Sequence, residues 1–453
     1  MKTLVIFAIS IVMLSGQAIA QQITVRDSVI EKAVLQISAS NIKTTVNELV
    51  ALHTRHNLST KNDPARGIGA AAQYLSNKLN GYIKNSAGRA IVEKVEYRAG
   101  GKDTRLGREI TLTNVVATFK GSNKDDNRII VLLAHYDSRA DNNSDSTAFA
   151  PGANDNGSGV AALLEIARIL SGMDIPVTIK LMFLSGEEHG LLGAAYMASV
   201  AKKENWNIIG VLNNDMIGNS RSSSTDVSNN TKVRVFSENI PYVESDEMKK
   251  SRVFNSSEND SKSRQLARYI KETGERYIDN MEVKLVYRND RFGRGGDHTP
   301  FCKEGFTAVR ICEYHENYDR THQPVTVKNG IELGDMPNGV DFEYVRKNCG
   351  VNLSSLLNLS FAPSLPQNVK IDISDLSNNT KISWESPKEG KKPSAYYILI
   401  RETDKSNWER KVRINGNNIE LHLSKDNYLF AVQSVDNEGH ESLAVFATGG
   451  SSK

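Results

Sequence analysis

Residues 129–134 read Ile-Ile-Val-Leu-Leu-Ala, and His135, Tyr136 and Asp137 follow them directly. A short, uninterrupted apolar run of this kind is typical of a strand that is buried in a parallel sheet. In open α/β sheets, ligands bind beyond the carboxyl ends of the strands. We therefore expect His135 to lie at the ligand-binding edge of such a sheet.

The same pattern recurs along the chain, because other potential metal ligands also follow an apolar strand or lie in a loop that could reach one. The strand at 177–184 precedes Glu187 and Glu188, and the strand at 208–212 precedes Asp215. Two histidines and three carboxylates that converge at one edge indicate a two-metal site, and imidazole with carboxylate suits zinc as well as other first-row metals. The candidate ligands are His135, Asp155, one of the two adjacent glutamates, Asp215 and His322.

Asp155 lies in a segment, 152–159, that is rich in glycine and other small residues. A carboxylate between two cations can bridge them with its two oxygens, and it would be costly to bury without their charge. Small neighbours let the backbone turn sharply and let metals approach closely. The alternative is an ordinary glycine-rich turn that caps the following helix.

Glu187 and Glu188 are adjacent, so their side chains point in different directions. One carboxylate can bind metal while the other accepts a proton from the attacking water. The alternative is a solvated acidic loop, although the position directly after an apolar strand favours a site. Asp137 could accept a hydrogen bond from the second ring nitrogen of His135, as carboxylates near metal-binding histidines commonly do.

The length, the net charge and the N-terminal segment indicate the class of protein and its location. A length of 453 residues predicts two or three domains, and a net charge of +3 does not predict a nucleic-acid partner. Lys2, an apolar run at 4–14 and a small-x-small site at 18–20 predict a signal peptide over residues 1–20. The alternative is an N-terminal anchor. We expect an exported chain, in a periplasm or outside the cell, without a transmembrane segment after cleavage.

The three cysteines do not form a metal-binding spacing. Cys302 and Cys312 could pair across a helix-to-strand turn, and an odd count leaves one thiol over. Buried free thiols are the alternative.

Alternating strand and helix patterns over 110–215 predict an α/β domain with a mixed, mainly parallel sheet sandwiched by helices. The polar segment 219–262 breaks this pattern and is interpreted as an insertion or lobe near the site. A proline-containing linker at 361–366 precedes short alternating strands, which predict a small all-β sandwich over residues 365–450 that folds separately.

Over most of residues 26–359 the sequence resembles the M28-type di-zinc aminopeptidases, a family of secreted zinc exopeptidases. The resemblance rests on segments 134–138, 152–159, 186–190, 214–215 and 296–301 and on His322. It implies a zinc-exopeptidase, phosphorylase/hydrolase-like fold over residues 21–360 and two Zn²⁺ ions per chain. By the same resemblance, His135 and Asp215 bind one zinc, Glu188 and His322 bind the other, Asp155 bridges them, Glu187 is the general base and Asp137 supports His135.

The sequence departs from some members of that family, which carry a tyrosine that stabilises the oxyanion near the final histidine or the Asp-His motif. Thr321 precedes His322 here, and Tyr314, Tyr318 and Arg294 are candidate replacements. Asp297 and His298 are further candidates for supporting the ligands or contacting the substrate. The C-terminal segment resembles a fibronectin type III module, with Trp384 as its core tryptophan and Tyr428 as its later-strand tyrosine.

These observations predict an exported metallo-exopeptidase that acts on peptides or proteins and releases N-terminal residues. The alternatives are a carboxypeptidase, for which Arg288, Arg291 and Arg294 could hold a terminal carboxylate, and a glutaminyl cyclase, which binds one zinc. A non-catalytic adhesion protein is a further alternative. In each case the C-terminal sandwich is a candidate for binding a surface or a substrate.

Overall fold

The centre of the protein is one eight-stranded mixed sheet. The computed structural model describes residues 26–449, so the predicted signal peptide lies outside the described residues. The strands are β1 (Ala90–Gly100), β2 (Glu109–Phe119), β3 (Arg128–His135), β4 (Thr178–Leu184), β5 (Asn207–Asn214), β6 (Lys232–Ser237), β7 (Glu282–Val286) and β8 (Ala308–Glu313). They are ordered β1-β2-β4-β3-β5-β8-β6-β7. The pairs β4–β3, β3–β5, β5–β8 and β6–β7 are parallel, as the predicted α/β class requires.

Helices cover both faces of this sheet. One face packs against α1 (Ser28–Leu35), α2 (Ala39–Val50), α3 (Gly67–Tyr82), α4 (Gly157–Leu170), α7 (Lys262–Tyr277) and α9 (Phe342–Phe361). The other packs against α5 (Leu192–Lys203) and α8 (His298–Lys303). Alternate residues of β3 enter the two cores, with Leu132 in the larger and Leu133 in the smaller. The strand is therefore apolar on both faces, which explains its continuous hydrophobic run.

The parallel register places the ends of the central strands at one edge of the sheet. His135 at the end of β3 pairs with Leu184 at the end of β4, and Leu133 pairs with Asn213 near the end of β5. The loops that follow β3, β4 and β5 therefore leave the sheet side by side. These loops carry Asp137, the two adjacent glutamates and Asp215.

The segment 219–262 is not simply an insertion, contrary to the sequence interpretation. Its residues Lys232–Ser237 form β6, which lies inside the main sheet between β8 and β7 and runs antiparallel to β8. The remainder includes α6 (Asp246–Phe254), which has no buried residue. The strand β6 has only six residues, and the polar residues on either side of it make it hard to recognise in the sequence.

The C-terminal part forms two packed four-stranded sheets, in agreement with the predicted all-β sandwich. One contains β11 (Gln367–Ile371), β12 (Thr380–Glu385), β15 (Asn418–Leu421) and β18 (Thr448–Gly449); the other contains β13 (Ala395–Glu402), β14 (Arg410–Ile414), β16 (Tyr428–Val435) and β17 (Val445–Phe446). Trp384 lies in the core between the sheets, and Tyr428 packs against that core. The specific likeness to fibronectin type III remains a prediction.

Three smaller points complete the fold. A short hairpin, β9 (Thr326–Lys328) and β10 (Ile331–Leu333), follows the loop that carries His322. All three cysteines are buried free thiols, so Cys302 and Cys312 are not bonded to each other. Among the described residues, no helix is both long and apolar enough to cross a bilayer.

Candidate metal centre

Side chains from five separate parts of the chain meet at the carboxyl edge of the sheet. Nε2 of His135 lies 3.3 Å from Oδ1 of Asp155 and 3.8 Å from Oδ1 of Asp215. Nε2 of His322 lies 3.0 Å from Oδ2 of Asp155 and 3.0 Å from Oε1 of Glu188. The two oxygens of Asp155 therefore face different histidines, which is the arrangement required of a bridging carboxylate.

The donor atoms fit a metal centre on two grounds. They form two groups, His135 with Glu187 and Asp215, and Asp155 with Glu188 and His322, and within each group the atoms lie within 4.8 Å of one another. In addition, Nε2 of His135 is buried and has no hydrogen-bond partner among the described residues. A buried polar atom without a partner is rare, and a metal ion would satisfy it. Nitrogen and oxygen donors in this combination suit zinc.

The charges in the cluster are strongly coupled. Burial alone would raise the pKa of Asp155, but the neighbouring His135 and His322 rings lower it well below its usual value. Burial opposes charge on His322, and Glu188 and Asp155 outweigh that effect and raise its pKa to about 10. Concentrated negative charge at a buried site attracts cations, and bound divalent ions would replace the ring protons there.

Glu187 occupies a different environment from the carboxylates that face a histidine. Its side chain is half-buried and lines the cleft above the cluster. Burial raises its pKa well above the usual value, and the negative charges of Glu188 and Asp215 act in the same direction. A carboxylate with a raised pKa is a better proton acceptor, as a general base requires.

Asp137 organises the two loops that carry the cluster. Its carboxylate accepts hydrogen bonds from Nδ2 of Asn57 at 2.6 Å and from the backbone N–H groups of Glu187 and Glu188 at 3.3 and 3.2 Å. Nδ1 of His135 lies 3.1 Å from the backbone oxygen of Asp137 and 3.7 Å from its carboxylate. The nearer partner of His135 is thus the backbone oxygen rather than the carboxylate that the sequence suggested.

Two arginines that the sequence reasoning missed contact candidate ligands. Nε of Arg139 lies 2.9 Å from Oε2 of Glu188, and its Nη2 lies 2.7 Å from Nδ1 of His322. Nη2 of the fully buried Arg310 lies 3.1 Å from Oδ2 of Asp215. Arg139 follows Asp137 by two residues, which is a weak local signal. Arg310 lies in β8, and no local pattern connects it to the site.

The loop that carries Asp155 is held from two sides. The Asp335 carboxylate accepts hydrogen bonds from the backbone N–H groups of Asn154 at 2.9 Å and of Asp155 at 2.7 Å. The guanidinium of Arg55 donates to the carbonyl oxygens of Pro151 at 2.6 Å and Gly152 at 2.8 Å. A Cβ on Gly152 would lie 2.7 Å from Nη2 of Arg55, so glycine is needed for this approach.

Of the residues that the sequence suggested for supporting the ligands or contacting the substrate, some lie at the cleft and others lie away from it. Asp297 and His298 are fully buried behind the cluster, and neither oxygen of the Asp297 carboxylate has a hydrogen-bond partner among the described residues. Arg294 lines the cleft. Tyr314 and Tyr318 do not line it, and the Tyr314 ring instead lies beneath the amine of Lys232 at 5.4 Å.

The cleft has a volume of about 760 Å³ and opens over Asp155, Glu187, Glu188, Asp215 and His322. Three residues in its wall that are not glycine have a positive φ: Leu191 at 62°, Met216 at 56° and His322 at 55°. This left-handed conformation costs energy for such residues and is concentrated at functional sites.

Solved structures share this fold. The chain matches the LapA aminopeptidase of Legionella pneumophila with a TM-score of 0.52 and 17% identity, over 75% of this chain and 78% of that one. It matches an aminopeptidase from Aneurinibacillus sp. strain AM-1 with a TM-score of 0.50 and 14% identity, over 72% of this chain and 95% of that one. These likenesses show a shared fold, and the buried cluster of histidines and carboxylates within it is a candidate metal centre.

Sequence comparison assigns the family. The model of peptidase family M28 matches residues 114–330. A probable zinc metalloprotease from Leptosphaeria maculans is 38% identical over 418 residues, which is 92% of this chain and 96% of that protein. A probable zinc metalloprotease from Pyricularia oryzae is 38% identical over 435 residues, covering 95% and 86% respectively. The chain belongs to peptidase family M28.

Proposed function

We propose that this protein is an exported two-zinc aminopeptidase that removes N-terminal residues from peptides. The observation that supports this most directly is the position of Asp155, whose two oxygens lie 3.3 Å from Nε2 of His135 and 3.0 Å from Nε2 of His322. One metal would be held by His135 and Asp215 and the other by Glu188 and His322, with Asp155 shared between them. Two ions bridged by a carboxylate lie about 3.5–4 Å apart in known sites.

Zinc at this site would supply an acidified water and a polarised scissile carbonyl. Glu187 lines the same cleft and forms no ion pair among residues 26–449, so it is the residue available to take the proton from the attacking water. The same carboxylate could return the proton to the departing amine. Arg139 and Arg310 keep Glu188 and Asp215 in position.

The charge of the cleft supports action at the N-terminus. The carboxylate of Glu187, which is not assigned to a metal, faces the space above the cluster and favours a free amine over a free carboxylate beside the scissile bond. A carboxypeptidase is the second candidate, because arginine side chains also line this cleft.

Blocking each end of a short peptide distinguishes these two activities. An N-acetylated peptide should resist cleavage, whereas the same peptide with a free N-terminus and an amidated C-terminus should lose its first residue. Products are identified by mass spectrometry, with the Glu187→Gln variant as the inactive control. Cleavage of the acetylated peptide together with survival of the amidated one would establish a carboxypeptidase instead.

Metal content and export have separate tests. Elemental analysis after dialysis should approach two zinc ions per chain, whereas a tightly bound single zinc in a fully active protein would contradict the bridging role of Asp155 and favour a cyclase-like site. N-terminal sequencing of the mature protein should give a sequence that begins near Gln21.

We also propose that the C-terminal sandwich has a fibronectin type III-like fold and binds a surface or a substrate. A binding assay with intact cells and peptides would test this role.

A further inference from the structure

The cleft above the cluster carries positive charge on its walls as well as negative charge at its base. Four arginines line it: Arg105, Arg139, Arg291 and Arg294. Arg139 is paired with Glu188, and Arg291 is paired with Glu316 at 2.7 Å. Arg105 and Arg294 have no carboxylate within ion-pairing distance among residues 26–449. Two cleft arginines are therefore neutralised by the protein and two are left for a ligand.

The two unpaired arginines border the same stretch of the cleft. Arg105 lies in the turn between β1 and β2, and its Nη1 is 3.4 Å from the backbone oxygen of Glu188. Arg294 lies in the loop between β7 and α8, and a Cβ on the next residue, Gly295, would lie 3.6 Å from Cδ1 of Leu191. Arg105 and the residue next to Arg294 thus both approach the segment that leads from the two glutamates into α5.

Apolar side chains line the same cleft as these two arginines. Leu191 and Leu192 line the cleft, and Leu192 packs against the small core formed by the β1–β2 hairpin. A short aliphatic stem could contact these leucines while a carboxylate at its end reaches a guanidinium. Guanidinium and carboxylate form charge-assisted, frequently bidentate hydrogen bonds. A glutamate side chain has this combination of stem and carboxylate.

We infer that Arg105 and Arg294 form a subsite for a carboxylate carried by the substrate, with a peptidyl glutamate side chain as the best fit. This inference rests on the proposed peptidase function and specifies its substrate class. The volume of about 760 Å³ is within the range of ligand-binding clefts and leaves room for more than the residue being removed. The same chemistry could come from the C-terminal carboxylate of a very short peptide.

Matched peptides separate these sources. In the first arm, all peptides have a free N-terminus and an amidated C-terminus, and Glu replaces Gln at the first, second or third position. The wild-type protein should show a kcat/KM for the best Glu peptide about 10- to 100-fold above that of its Gln partner, as expected for a hydrogen bond between charged groups. In the second arm, the Gln tripeptide is compared with a free and an amidated C-terminus.

The variants test which arginines are responsible. The double variant Arg105→Gln/Arg294→Gln should bring the Glu-to-Gln ratio close to one. Arg288→Gln is the matched control, because Arg288 lies on the same loop as Arg294 but stacks on Phe292 at 3.8 Å and does not line the cleft. That control should keep the wild-type ratio, and zinc content should be equal in all variants.

Each outcome bears on the inference. If the Glu-to-Gln ratio of kcat/KM in the first arm falls in the double variant, the subsite binds a side-chain carboxylate. If the preference for a free over an amidated C-terminus in the second arm is lost in the double variant, the same subsite binds a terminal carboxylate. Ratios near one in both arms of the wild-type protein, or a preference that survives in the double variant, would overturn it. Release of N-terminal residues from the Gln peptides would leave the proposed aminopeptidase intact even then.

Discussion

At the scale of single residues, the neighbouring Glu187 and Glu188 have opposite surroundings. Glu188 is buried between Nε2 of His322 at 3.0 Å and Nε of Arg139 at 2.9 Å. Glu187 is half-buried, lines the cleft and has no ion-pair partner among the described residues. Adjacent residues at the end of a strand point in different directions, so one loop supplies both a metal ligand and a base.

The two glutamates should therefore respond differently to substitution. Glu187→Gln keeps the shape of the side chain but removes its ability to take a proton, so turnover should fall roughly 10²–10⁴-fold while zinc content stays unchanged. Glu188→Ala should instead reduce zinc content. Rates on a small amidated peptide, with zinc measured in the same samples, provide the comparison, and near wild-type turnover of Glu187→Gln would refute its assignment as the base.

The structure brings the five candidate ligands together. The sequence carries a local pattern, either a strand end or a glycine-rich turn, at four of them and none at His322. It did not predict their partners. Arg139 contacts a histidine 183 positions away, and Asp335 accepts an N–H group from a residue 181 positions away. Contacts across such separations depend on how the loops pack, and neither residue belongs to a motif of its own.

At the scale of elements, the loop between β3 and α4 is fixed by contacts that do not involve metal. The Asp335 carboxylate accepts hydrogen bonds from two backbone N–H groups of this loop, and Arg55 donates hydrogen bonds to two of the loop's carbonyl oxygens. Burial raises the pKa of Asp335 to about 6, and the hydrogen bonds from Asn154 and Asp155 act in the opposite direction. The position of Asp155 therefore depends on a carboxylate that is itself buried.

Asp335→Ala should loosen this loop and weaken metal binding without touching a ligand. Two buried N–H groups would lose their acceptor, at a cost of about 1–3 kcal/mol each if no water replaces it. We expect lower zinc occupancy at limiting zinc and a lower melting temperature, with Asp335→Asn showing a smaller loss because one side-chain oxygen remains. Equal zinc affinity in Asp335→Ala and the wild-type protein would show that the metals alone position Asp155.

The element that the sequence interpreted least well was β6. Its six residues lie between polar, serine- and asparagine-rich stretches, and hydrophobic periodicity is weak evidence over so short a segment. Its place in the sheet is set by pairing with β8 and β7, which follow it in the chain. The local pattern alone therefore did not reveal this strand.

At the scale of the whole molecule, the sandwich is joined to the catalytic part by buried ion pairs. Nη2 of Arg276 in α7 lies 2.8 Å from Oε1 of Glu441, and Lys411 contacts the same carboxylate at 3.4 Å. Asp260 lies between Arg268 at 2.9 Å and Arg401 of β13 at 2.6 Å. The linker prolines predict separate folding, whereas these contacts indicate that the two parts stabilise each other.

Breaking one of these pairs should destabilise the entire chain. Glu441→Ala removes one of the two carboxylates that Arg276 and Lys411 share, and Glu272 remains beside both. The expected cost is therefore at most the roughly 3–5 kcal/mol typical of breaking a buried pair completely. Glu438→Ala, an exposed glutamate three residues earlier, is the matched control. Urea unfolding should give a lower midpoint for Glu441→Ala than for Glu438→Ala, and equal midpoints would indicate that solvent compensates for the lost contact.

Because the same contacts would be lost, a chain shortened to end at Ala362 should also be less stable than the full chain.

The same interface should make stability depend on pH. Burial alone would raise the pKa of Glu441, but Lys411 and Arg276 lower it to about 2, compared with an ordinary value near 4.5. The unfolded chain therefore takes up this proton at higher pH than the folded chain. The stability that Glu441 contributes is complete above about pH 4.5 and is lost as the pH falls towards 2, a change on the order of 3 kcal/mol.

Urea unfolding between pH 6 and pH 3 would test this dependence. The protein is first stripped of metal, because acid also protonates the ligands and would release zinc in the same range. The free energy of unfolding of the wild-type protein should fall more steeply with decreasing pH than that of Glu441→Gln, in which the titrating group is absent. Asp436, whose pKa is also lowered to about 2, titrates in both proteins and so cancels in the comparison. Parallel pH profiles for the two proteins would mean that the Glu441 pairs do not contribute to holding the sandwich in place.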